Sequence, residues 1–215
     1  QIVPLAKIPL NVRYAVLAAE DRNFYSNKAF SVTGILRAVV NNLRGGSLQG
    51  GSTITQQYAK TAFLTPERSI QRKIKELVIS LKLENSLSKD QIFENYLNTI
   101  YFGRGSYGVQ TASQQYFNRN ANQLTLSQAA VIASILRSPG YYDPALSKDN
   151  AERLANRFQY VINGMLDRKW ISPEDAAKAK LPIVIPRTKT GQLSGPKGHI
   201  VAAVQKEMGK LGFSE

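Results

Sequence analysis

The neighbouring carboxylates of Glu20 and Asp21 are residues whose type and setting could do chemistry. They are the only acidic residues among the first 66 positions, in a segment that is otherwise basic. A carboxylate pair next to a helix end and an aromatic residue, here Phe24, is typical of a positioned base or a ligand. Ion pairs with Arg13 and Arg22 on a helix surface explain the same residues equally well, so both interpretations stay open.

The run from Gly50 to Gln57 reads Gly-Gly-Ser-Thr-Ile-Thr-Gln-Gln and could contact a ligand through its backbone. Two glycines permit a close approach, and a helix that begins after them would present free N–H groups to a phosphate or sugar oxygen. By itself, the same pattern is more commonly an ordinary loop followed by a helix cap.

Arg72, Lys73 and Glu76 form a third group, because they share one face if this segment is helical. Two cations around one carboxylate could hold a diphosphate and keep Glu76 ionised. The alternative is a solvated helix face with weak salt bridges.

The segment 95–109 is rich in glycine and tyrosine and includes Asn98. Glycines and aromatic rings after a helix suit a loop that lines a polar groove in which sugars stack. A glycine-rich connection between two helices fits this segment equally well.

Composition narrows the classes of protein. A chain of 215 residues with 43% hydrophobic content predicts one domain with a real core, of ordinary shape or with two lobes. The net charge of +13 favours an anionic partner: nucleic acid, an anionic membrane or a phosphorylated substrate. Cysteine is absent, which excludes thiol chemistry, and a single histidine, His199, argues against a Ser-His-Asp triad. No apolar run is long enough to predict a membrane-spanning helix.

Apolar periodicity and capping residues predict a mainly α fold with several short helices. Six helices are predicted with a capping residue before them: 12–19 after Asn11, 35–40 after Thr33, 54–62 after Ser52, the apolar stripe of 70–81 after Thr65, 92–100 after Ser88 and 129–136 after Thr125. Two further helices are predicted over 149–168 and 173–180. Weak β character is confined to Pro182–Pro186, between two prolines.

Taken in order, these segments resemble the peptidoglycan glycosyltransferase domain of class A penicillin-binding proteins and their monofunctional relatives. The matching positions are Glu20, Asp21 and Phe24 for Glu-Asp-x-x-Phe; the glycine-rich run up to Gln57, with Lys60 beyond it; Arg72, Lys73 and Glu76 for Arg-Lys-x-x-Glu; Tyr96, Leu97, Asn98, Tyr101 and Gly103 for Tyr-Leu-Asn-x-x-Tyr-x-Gly; and the segment Leu124 to Pro144. Five motifs in one order make this a highly specific match.

Two positions depart from the family pattern. Asn27 stands where many relatives have the His of His-x-Gly, so no acid–base role is assigned to it. Thr61 stands where relatives often have Asn, which affects one substrate hydrogen bond. The runs 86–89 and 189–191 resemble transpeptidase motifs, but the chain has no Ser-x-Asn motif, so they are interpreted as helix caps and linker.

The resemblance implies that lipid II is the acceptor and the growing glycan strand the donor of an inverting transfer that releases undecaprenyl diphosphate. Such a transfer needs a base on the acceptor hydroxyl and charge stabilisation on the leaving group. Glu20 is therefore predicted as the general base and Glu76 as the second catalytic carboxylate. The predicted substrate-binding residues are Asp21, Phe24, Thr53, Gln56, Gln57, Lys60, Arg72, Lys73 and Asn98, with Lys60, Arg72 and Lys73 on the diphosphate.

No residue is predicted as a metal ligand, although a divalent cation such as Mg²⁺ or Mn²⁺ could assist a diphosphate leaving group. Moenomycin-type inhibitors are expected to bind. Nucleic acid is not expected as a partner, since the basic residues are interspersed rather than massed. A glycan-cleaving enzyme of the lysozyme or lytic transglycosylase type is the alternative, but it would not need Arg72 and Lys73 arranged for a diphosphate.

The family fold implies a lysozyme-like helical structure with a cleft between a larger lobe and a smaller membrane-proximal lobe. Residues 25–48 are a candidate membrane-facing segment, with a buried helix face as an equal alternative. Residues 1–182 are predicted as the glycosyltransferase domain and 183–215 as a linker toward a missing transpeptidase domain. The expected location is the outer face of the bacterial cytoplasmic membrane, with a transmembrane anchor absent from this fragment.

Overall fold

The structure is a computed structural model that describes residues 2–27, 52–65 and 69–187. The chain divides into two compact units, Gln1–Ile185 and Pro186–Glu215. All the described helices belong to the first unit. Their packing around one hydrophobic core decides which side chains meet at the site.

The described part of the chain is helical, which confirms the prediction of a mainly α fold. The helices are α1 Leu10–Glu20, α2 Ile54–Phe63, α3 Ile70–Ser86, α4 Lys89–Thr99, α5 Val109–Phe117, α6 Leu126–Leu136, α7 Pro139–Tyr142, α8 Lys148–Asp167 and α9 Pro173–Lys178. Short 3-10 turns, Leu5–Lys7 and Ala121–Gln123, precede α1 and α6. Residues 181–187 contain no strand.

Capping boxes begin two of the helices. At α4, the Ser88 hydroxyl accepts from the backbone N–H of Gln91, and the Gln91 side chain accepts from the backbone N–H of Ser88. Thr125 and Gln128 form the same pair at α6. Each box satisfies two N–H groups that a helix start leaves free. The predicted starts at these two helices are confirmed.

The predicted start of α1 is wrong. The helix begins at Leu10 directly after Pro9, whose fixed backbone angle suits a helix entrance, and not after an Asn11 cap. Asn11 lies inside the first turn and donates its side-chain amide to the carbonyl of Leu124 at 2.9 Å. Asn11 therefore ties α1 to the segment before α6 instead of capping its own helix.

The caps of α2 and α3 also differ from those predicted. Thr53 caps α2 by accepting from the N–H of Gln56 at 3.2 Å, so the predicted cap, Ser52, is free for other contacts. The cap of α3 is Ser69 rather than Thr65. Helix α5 was not predicted, because its start at a glycine carries no side-chain cap.

The core is built around α6, in which every residue from Ala129 to Leu136 is buried. Helices α1 and α8 both pack against α6 and also against each other, while α2 packs against α3 and α4. Each fully buried large apolar side chain contributes about 1.5–3 kcal/mol to this packing. The end of α1 thereby comes to face both α2 and α8, where the candidate site lies.

Helix α3 exposes much of its apolar stripe. Ile70 is 66% exposed, and Ile74 and Val78 are each 47% exposed. The buried residues of α3 are instead Glu76 and Ser80. The periodicity of the stripe predicted the helix correctly but not the side that is covered, because tertiary packing decides what lies against a helix.

A buried ion pair closes the glycine-rich loop that follows α4. The Arg104 guanidinium donates from Nε and Nη2 to both carboxylate oxygens of Asp143, at 2.8 and 2.6 Å, and from Nη1 to the carbonyl of Ile185 at 2.7 Å. Arg104 has a φ of +52°, a left-handed conformation that costs a non-glycine residue about 1–2 kcal/mol. The hydrogen bonds hold the loop in that conformation.

No helix in the described ranges combines the length and apolar character needed to cross a bilayer. The predicted helix over 35–40 and nearly all of the predicted membrane-facing segment 25–48 lie outside the described residues. The same holds for most of the predicted linker, 183–215, so the domain boundary at residue 182 stays a prediction.

We expect Asp143→Asn to lower the free energy of unfolding by about 3–5 kcal/mol, because it leaves the Arg104 charge buried without its partner. Urea unfolding at neutral pH would measure this loss. Asp149→Asn is the matched control, because the Asp149 side chain is 76% exposed and lies 3.7 Å from Arg153. That variant should lose less than about 1 kcal/mol. Equal losses would contradict the role of the buried pair.

Candidate active site

The carboxylate of Glu20 lies where α1 ends, at the wall of a cavity, with its side chain 10% exposed. Its Oε2 accepts a hydrogen bond from Nε2 of Gln57 on α2 at 2.8 Å. Its Oε1 is buried and has no hydrogen-bond partner among the described residues. One oxygen is therefore hydrogen-bonded by the protein, and the other keeps its hydrogen-bonding capacity unused.

Gln57 is itself fixed by two further contacts. The hydroxyl of Tyr96 on α4, which is fully buried, donates to Oε1 of Gln57 at 3.0 Å. The amide nitrogen that donates to Glu20 also donates to the carbonyl of Ser52 at 3.2 Å. Because the nitrogen faces two acceptors and the oxygen faces a hydroxyl, one orientation of the amide satisfies the network. Helices α2 and α4 together aim this donor at Glu20.

The other oxygen of Glu20 faces Arg157 of α8. Nη2 of Arg157 lies 3.7 Å from Oε1 of Glu20 and donates to the carbonyl of Ala19 at 2.7 Å. Arg157 is 8% exposed, and its guanidinium lies 4.4 Å from the centroid of the Tyr160 ring. A buried cation at this distance favours the ionised carboxylate without hydrogen bonding to it.

A cavity of about 370 Å³ opens beside Glu20. Its lining residues are Ala19, Glu20, Ser52, Gln57, Lys60, Arg137, Arg157 and Tyr160. Among these residues three cations face one carboxylate, so the cavity suits an anionic ligand that also carries hydroxyl groups. Its volume lies in the usual range of small-molecule sites, about 300–1,000 Å³.

Burial raises the pKa of Glu20 above the ordinary value for glutamate. The hydrogen bond from Gln57 and the charges of the three cavity cations oppose this rise. Burial is the largest of these effects, so the carboxylate is more basic than an exposed glutamate. A base of that strength is better matched to proton abstraction near neutral pH.

Burial also raises the pKa of Tyr96 well above its ordinary value, and the negative charges of Glu20 and Asp21 add to the rise. The Tyr96 hydroxyl therefore keeps its proton throughout the physiological pH range. It can act as a permanent hydrogen-bond donor to Gln57.

Asp21 does not line the cavity but fixes the neighbouring helix start. Its Oδ2 accepts from the backbone N–H of Ile54, the first residue of α2, at 3.3 Å. Burial raises the pKa of Asp21, and the hydrogen bond from Ile54 opposes that rise. Asp21 ties the end of α1 to the start of α2, which sets the distance between Glu20 and Gln57.

Glu76 on α3 is 3% exposed and pairs with Lys73, one turn earlier. Nζ of Lys73 also donates to the hydroxyl of Ser52 at 3.1 Å, and the Ser52 carbonyl accepts from Gln57. A polar chain thus links the two glutamates, from Glu20 through Gln57, Ser52 and Lys73 to Glu76. Glu76 itself is not among the residues that line the cavity.

The predicted diphosphate-binding cations are placed differently from one another. Lys60 lines the cavity, while Lys73 reaches its wall at Ser52. Arg72 donates from Nη1 to the carbonyl of Thr65 at 3.3 Å. The assignment of these cations to a diphosphate stays a prediction.

Phe24 and Asn98 have structural contacts and do not line the cavity. Phe24 is 1% exposed and packs against Phe93, with ring centroids 5.7 Å apart, beneath the turn that carries Glu20. The Asn98 side chain accepts from the N–H of Val3 at 2.8 Å and donates to its carbonyl at 2.9 Å. Their predicted roles in substrate binding stay predictions.

Thr53 and Gln56 are used at the start of α2, and neither lines the cavity. Asn27, at the position of the family histidine, is exposed. The rings of Tyr101 and Tyr107 lie 4.9 Å apart and are 40% and 63% exposed, so the glycine-rich loop presents aromatic surface outside the cavity lining.

Sequence reasoning missed Arg137, Arg157 and Tyr160. Arg157 carried a usable signal, because it falls on the apolar face of α8 at helical spacing from Leu154 and Val161, both buried. An arginine on such a face must find a buried acceptor or a cavity. Arg137 directly follows the buried run of α6, and Tyr160 carries no comparable signal.

The residues within 2–27, 52–65 and 69–187 include no group of three or more His, Cys, Asp or Glu side chains that could hold a metal ion. Glu20 and Glu76 each have their own cationic partner instead. The divalent cation considered from the sequence stays a prediction.

We expect Glu20→Gln to raise the free energy of unfolding near neutral pH by roughly 0.5–2 kcal/mol, as relief of a strained active-site group commonly does. The folded state has the higher pKa at Glu20, so it binds more protons than the unfolded state between the two pKa values. Wild-type stability therefore falls as pH rises through that window.

The advantage of Glu20→Gln should be full above the folded-state pKa and vanish below the ordinary glutamate pKa of 4.5. Thermal unfolding from acidic to neutral pH would measure it. Glu174→Gln, at an exposed position of α9, is the control and should show no such pH dependence. A Glu20→Gln variant that is less stable than wild type at neutral pH would contradict this account.

A family profile described as Transglycosylase matches residues 1–166. Penicillin-binding protein 1A of Mycobacterium tuberculosis is 45% identical over 216 residues, covering 97% of this chain and 26% of that protein. Penicillin-binding protein 1F of Bacillus subtilis is 42% identical over 179 residues, covering 83% of this chain and 25% of that protein. A crystal structure of Penicillin-Binding Protein 1A from Haemophilus influenzae aligns at a TM-score of 0.45 and 27% identity, over 75% of this chain and 20% of that one.

The chain spans about a quarter of the length of these two curated relatives. The matched span, residues 1–166, contains every residue that lines the cavity, from Ala19 to Tyr160. Both the family profile and the identity to the two relatives therefore lead to the same conclusion: the chain belongs to the transglycosylase family.

Proposed function

We propose that this chain is a peptidoglycan glycosyltransferase that polymerises lipid II into β-1,4-linked glycan strands, with inversion and release of undecaprenyl diphosphate. Membership of the transglycosylase family supports the reaction class. The observation that carries the proposal is the cavity in which Glu20, with one oxygen unbonded, faces three cations. A base beside an anion-binding group is what inverting transfer from a diphosphate donor requires.

Glu20 acts as the general base in this proposal. Its carboxylate takes the proton of the lipid II 4-hydroxyl while that hydroxyl oxygen attacks the anomeric carbon of the growing strand. The bond between the anomeric carbon and the diphosphate oxygen breaks, and the diphosphate leaves with the electron pair. The hydrogen bond from Gln57 holds Oε2, so the carboxylate keeps a fixed orientation.

Negative charge develops on the leaving diphosphate, and cations placed to receive it commonly contribute several kcal/mol to lowering the barrier. Lys60, Lys73 and Arg72 are proposed to bind this group. The contact of Lys73 with Ser52 supports this, because it brings a cation of α3 to the cavity wall. Glu76, as the second carboxylate, holds Lys73 in place through their ion pair.

Three of the predicted substrate-binding residues also have contacts that support the base. Asp21 and Thr53 fix the start of α2, and Phe24 fills the core beneath the Glu20 turn. Small displacements of a catalytic group lower the reaction rate steeply, so the side chains that fix these helix ends affect the reaction.

Lipid II is a membrane lipid, so the chain is proposed to work at the outer face of the bacterial cytoplasmic membrane, with the bilayer surface and the glycan strand as partners. The net charge of +13 supports contact with an anionic surface. Moenomycin-type phosphoglycolipids carry a phosphate and sugars, which fit the charge of the cavity.

Glycan cleavage is the second candidate, since a buried glutamate is also what a glycan-cleaving enzyme uses as its acid. Three cavity cations favour transfer from a diphosphate, because cleavage between two sugars releases no anion. The products differ: transfer lengthens labelled strands on a gel, whereas cleavage releases soluble muropeptides.

We expect Glu20→Gln to reduce polymerisation of labelled lipid II by about 10²–10⁴-fold, because the amide cannot take the hydroxyl proton. Gel separation of glycan strands would measure the rate, and a lipid II binding assay should show affinity within about threefold of wild type. Glu174→Gln, at an exposed site, is the control and should keep wild-type turnover. Retained turnover in Glu20→Gln would remove this residue from the mechanism.

We expect Lys73→Ala and Arg72→Ala each to weaken binding of lipid II or the strand about tenfold or more, because each removes a charged hydrogen-bond donor to the diphosphate. Titration with lipid II would measure the affinity. Lys148→Ala, an exposed lysine at the start of α8, is the matched control. Unchanged affinity in both site variants would mean that Lys73 and Arg72 are only charges on a helix face and do not bind the diphosphate.

A further inference from the structure

Arg157 is a buried cation at the site, and the proposed reaction gives it no role. It is 8% exposed, and its Nε has no hydrogen-bond partner among the described residues. Its Nη2 donates to the carbonyl of Ala19, the residue before Glu20, in the last turn of α1. A buried guanidinium whose N–H groups are only partly hydrogen-bonded costs several kcal/mol of stability unless a group of opposite charge lies nearby.

Glu20 is that charged group, and the contact between them has an unusual form. Nη2 of Arg157 lies 3.7 Å from Oε1 of Glu20, which is near enough for strong charge attraction and too far for a hydrogen bond. The oxygen on this side is the one without a hydrogen-bond partner.

We propose that Arg157 is a positioning residue for Glu20, one that anchors the last turn of α1 through Ala19 and keeps the Glu20 carboxylate charged while leaving its Oε1 without a hydrogen bond. This inference rests on the proposed role of Glu20 as general base. A direct hydrogen bond from Arg157 would occupy the one carboxylate oxygen that the protein leaves unbonded. A charge slightly farther away supports ionisation without blocking that atom.

Other charged groups also face Glu20, and their positions separate the role of Arg157 from theirs. Lys60 on α2 and Arg137 after α6 line the cavity and favour the ionised carboxylate, while Tyr96 on α4 remains neutral. Asp21, the next residue, is turned toward the start of α2. Of these cations, Arg157 is the one that forms an ion pair with Glu20 in the described contacts.

Removal of the Arg157 charge should therefore raise the pH at which Glu20 becomes an active base. We expect Arg157→Gln and Arg157→Met to shift the acidic limb of the kcat/KM profile for lipid II upward by about one pH unit. At a pH below that limb, kcat/KM should fall about tenfold, which corresponds to the same shift. KM for lipid II at high pH should stay within about twofold of wild type.

Arg157→Lys preserves the charge and is expected to keep the acidic limb within about 0.3 pH unit of wild type. Arg153→Met is the matched control, because Arg153 lies one turn earlier on α8, 36% exposed and paired with Asp149. That variant should leave the limb unmoved. Circular dichroism of the full 215-residue chain reports whether each variant is folded.

The outcomes separate this inference from the function on which it rests. A wild-type chain that does not polymerise lipid II contradicts the proposed function. If the wild-type chain is active but the acidic limb of Arg157→Gln does not move, the role of Arg157 alone is overturned. A higher KM in Arg157→Gln without a shift of the acidic limb also overturns it, because Arg157 would then be a substrate ligand. If neither neutral variant folds, Arg157→Lys decides, and a limb displaced by a full unit in that variant overturns the proposal.

Discussion

Keeping the carboxylate of Glu20 charged inside the protein wall is the constraint on which the site depends. Burial removes the water that would solvate the charge, so the protein must supply other stabilising groups. It supplies the amide of Gln57 and the charges of Lys60, Arg137 and Arg157, and yet it leaves one oxygen without a hydrogen bond. An oxygen fully satisfied by the protein would be a poor base, so this incomplete compensation is a condition for the proposed reaction.

The helices around the site meet this constraint by holding each group on a rigid element. Glu20 ends α1, Gln57 stands on α2 and Arg157 on α8, while Tyr96 of α4 fixes the amide from behind. Sites on helices hold side chains more accurately than sites on loops. The buried helix α6 gives α1 and α8 a common surface, so core packing sets the distances on which the chemistry depends.

Two buried pairs of opposite charge in the described part of the chain are built differently. Arg104 and Asp143 satisfy each other with two hydrogen bonds and are at most 4% exposed, an arrangement that locks a loop. Glu20 and Arg157 lie 3.7 Å apart and each keeps an unpaired polar atom. The first pair is complete and serves the fold. The second leaves capacity for a ligand, which is typical of sites where function overrides local stability.

The amino-acid sequence by itself determined the mainly α fold, the capping boxes at Ser88 and Thr125, and the residues that were predicted to carry the chemistry. These features are local, since a cap or an amphipathic period involves only a few neighbouring positions. Tertiary structure alone decided that Arg157 joins Glu20 at the cavity, and that the apolar stripe of α3 is left exposed around a buried Glu76. The physical reason is that such contacts join segments far apart in the chain, and packing around α6 selects which of their faces meet.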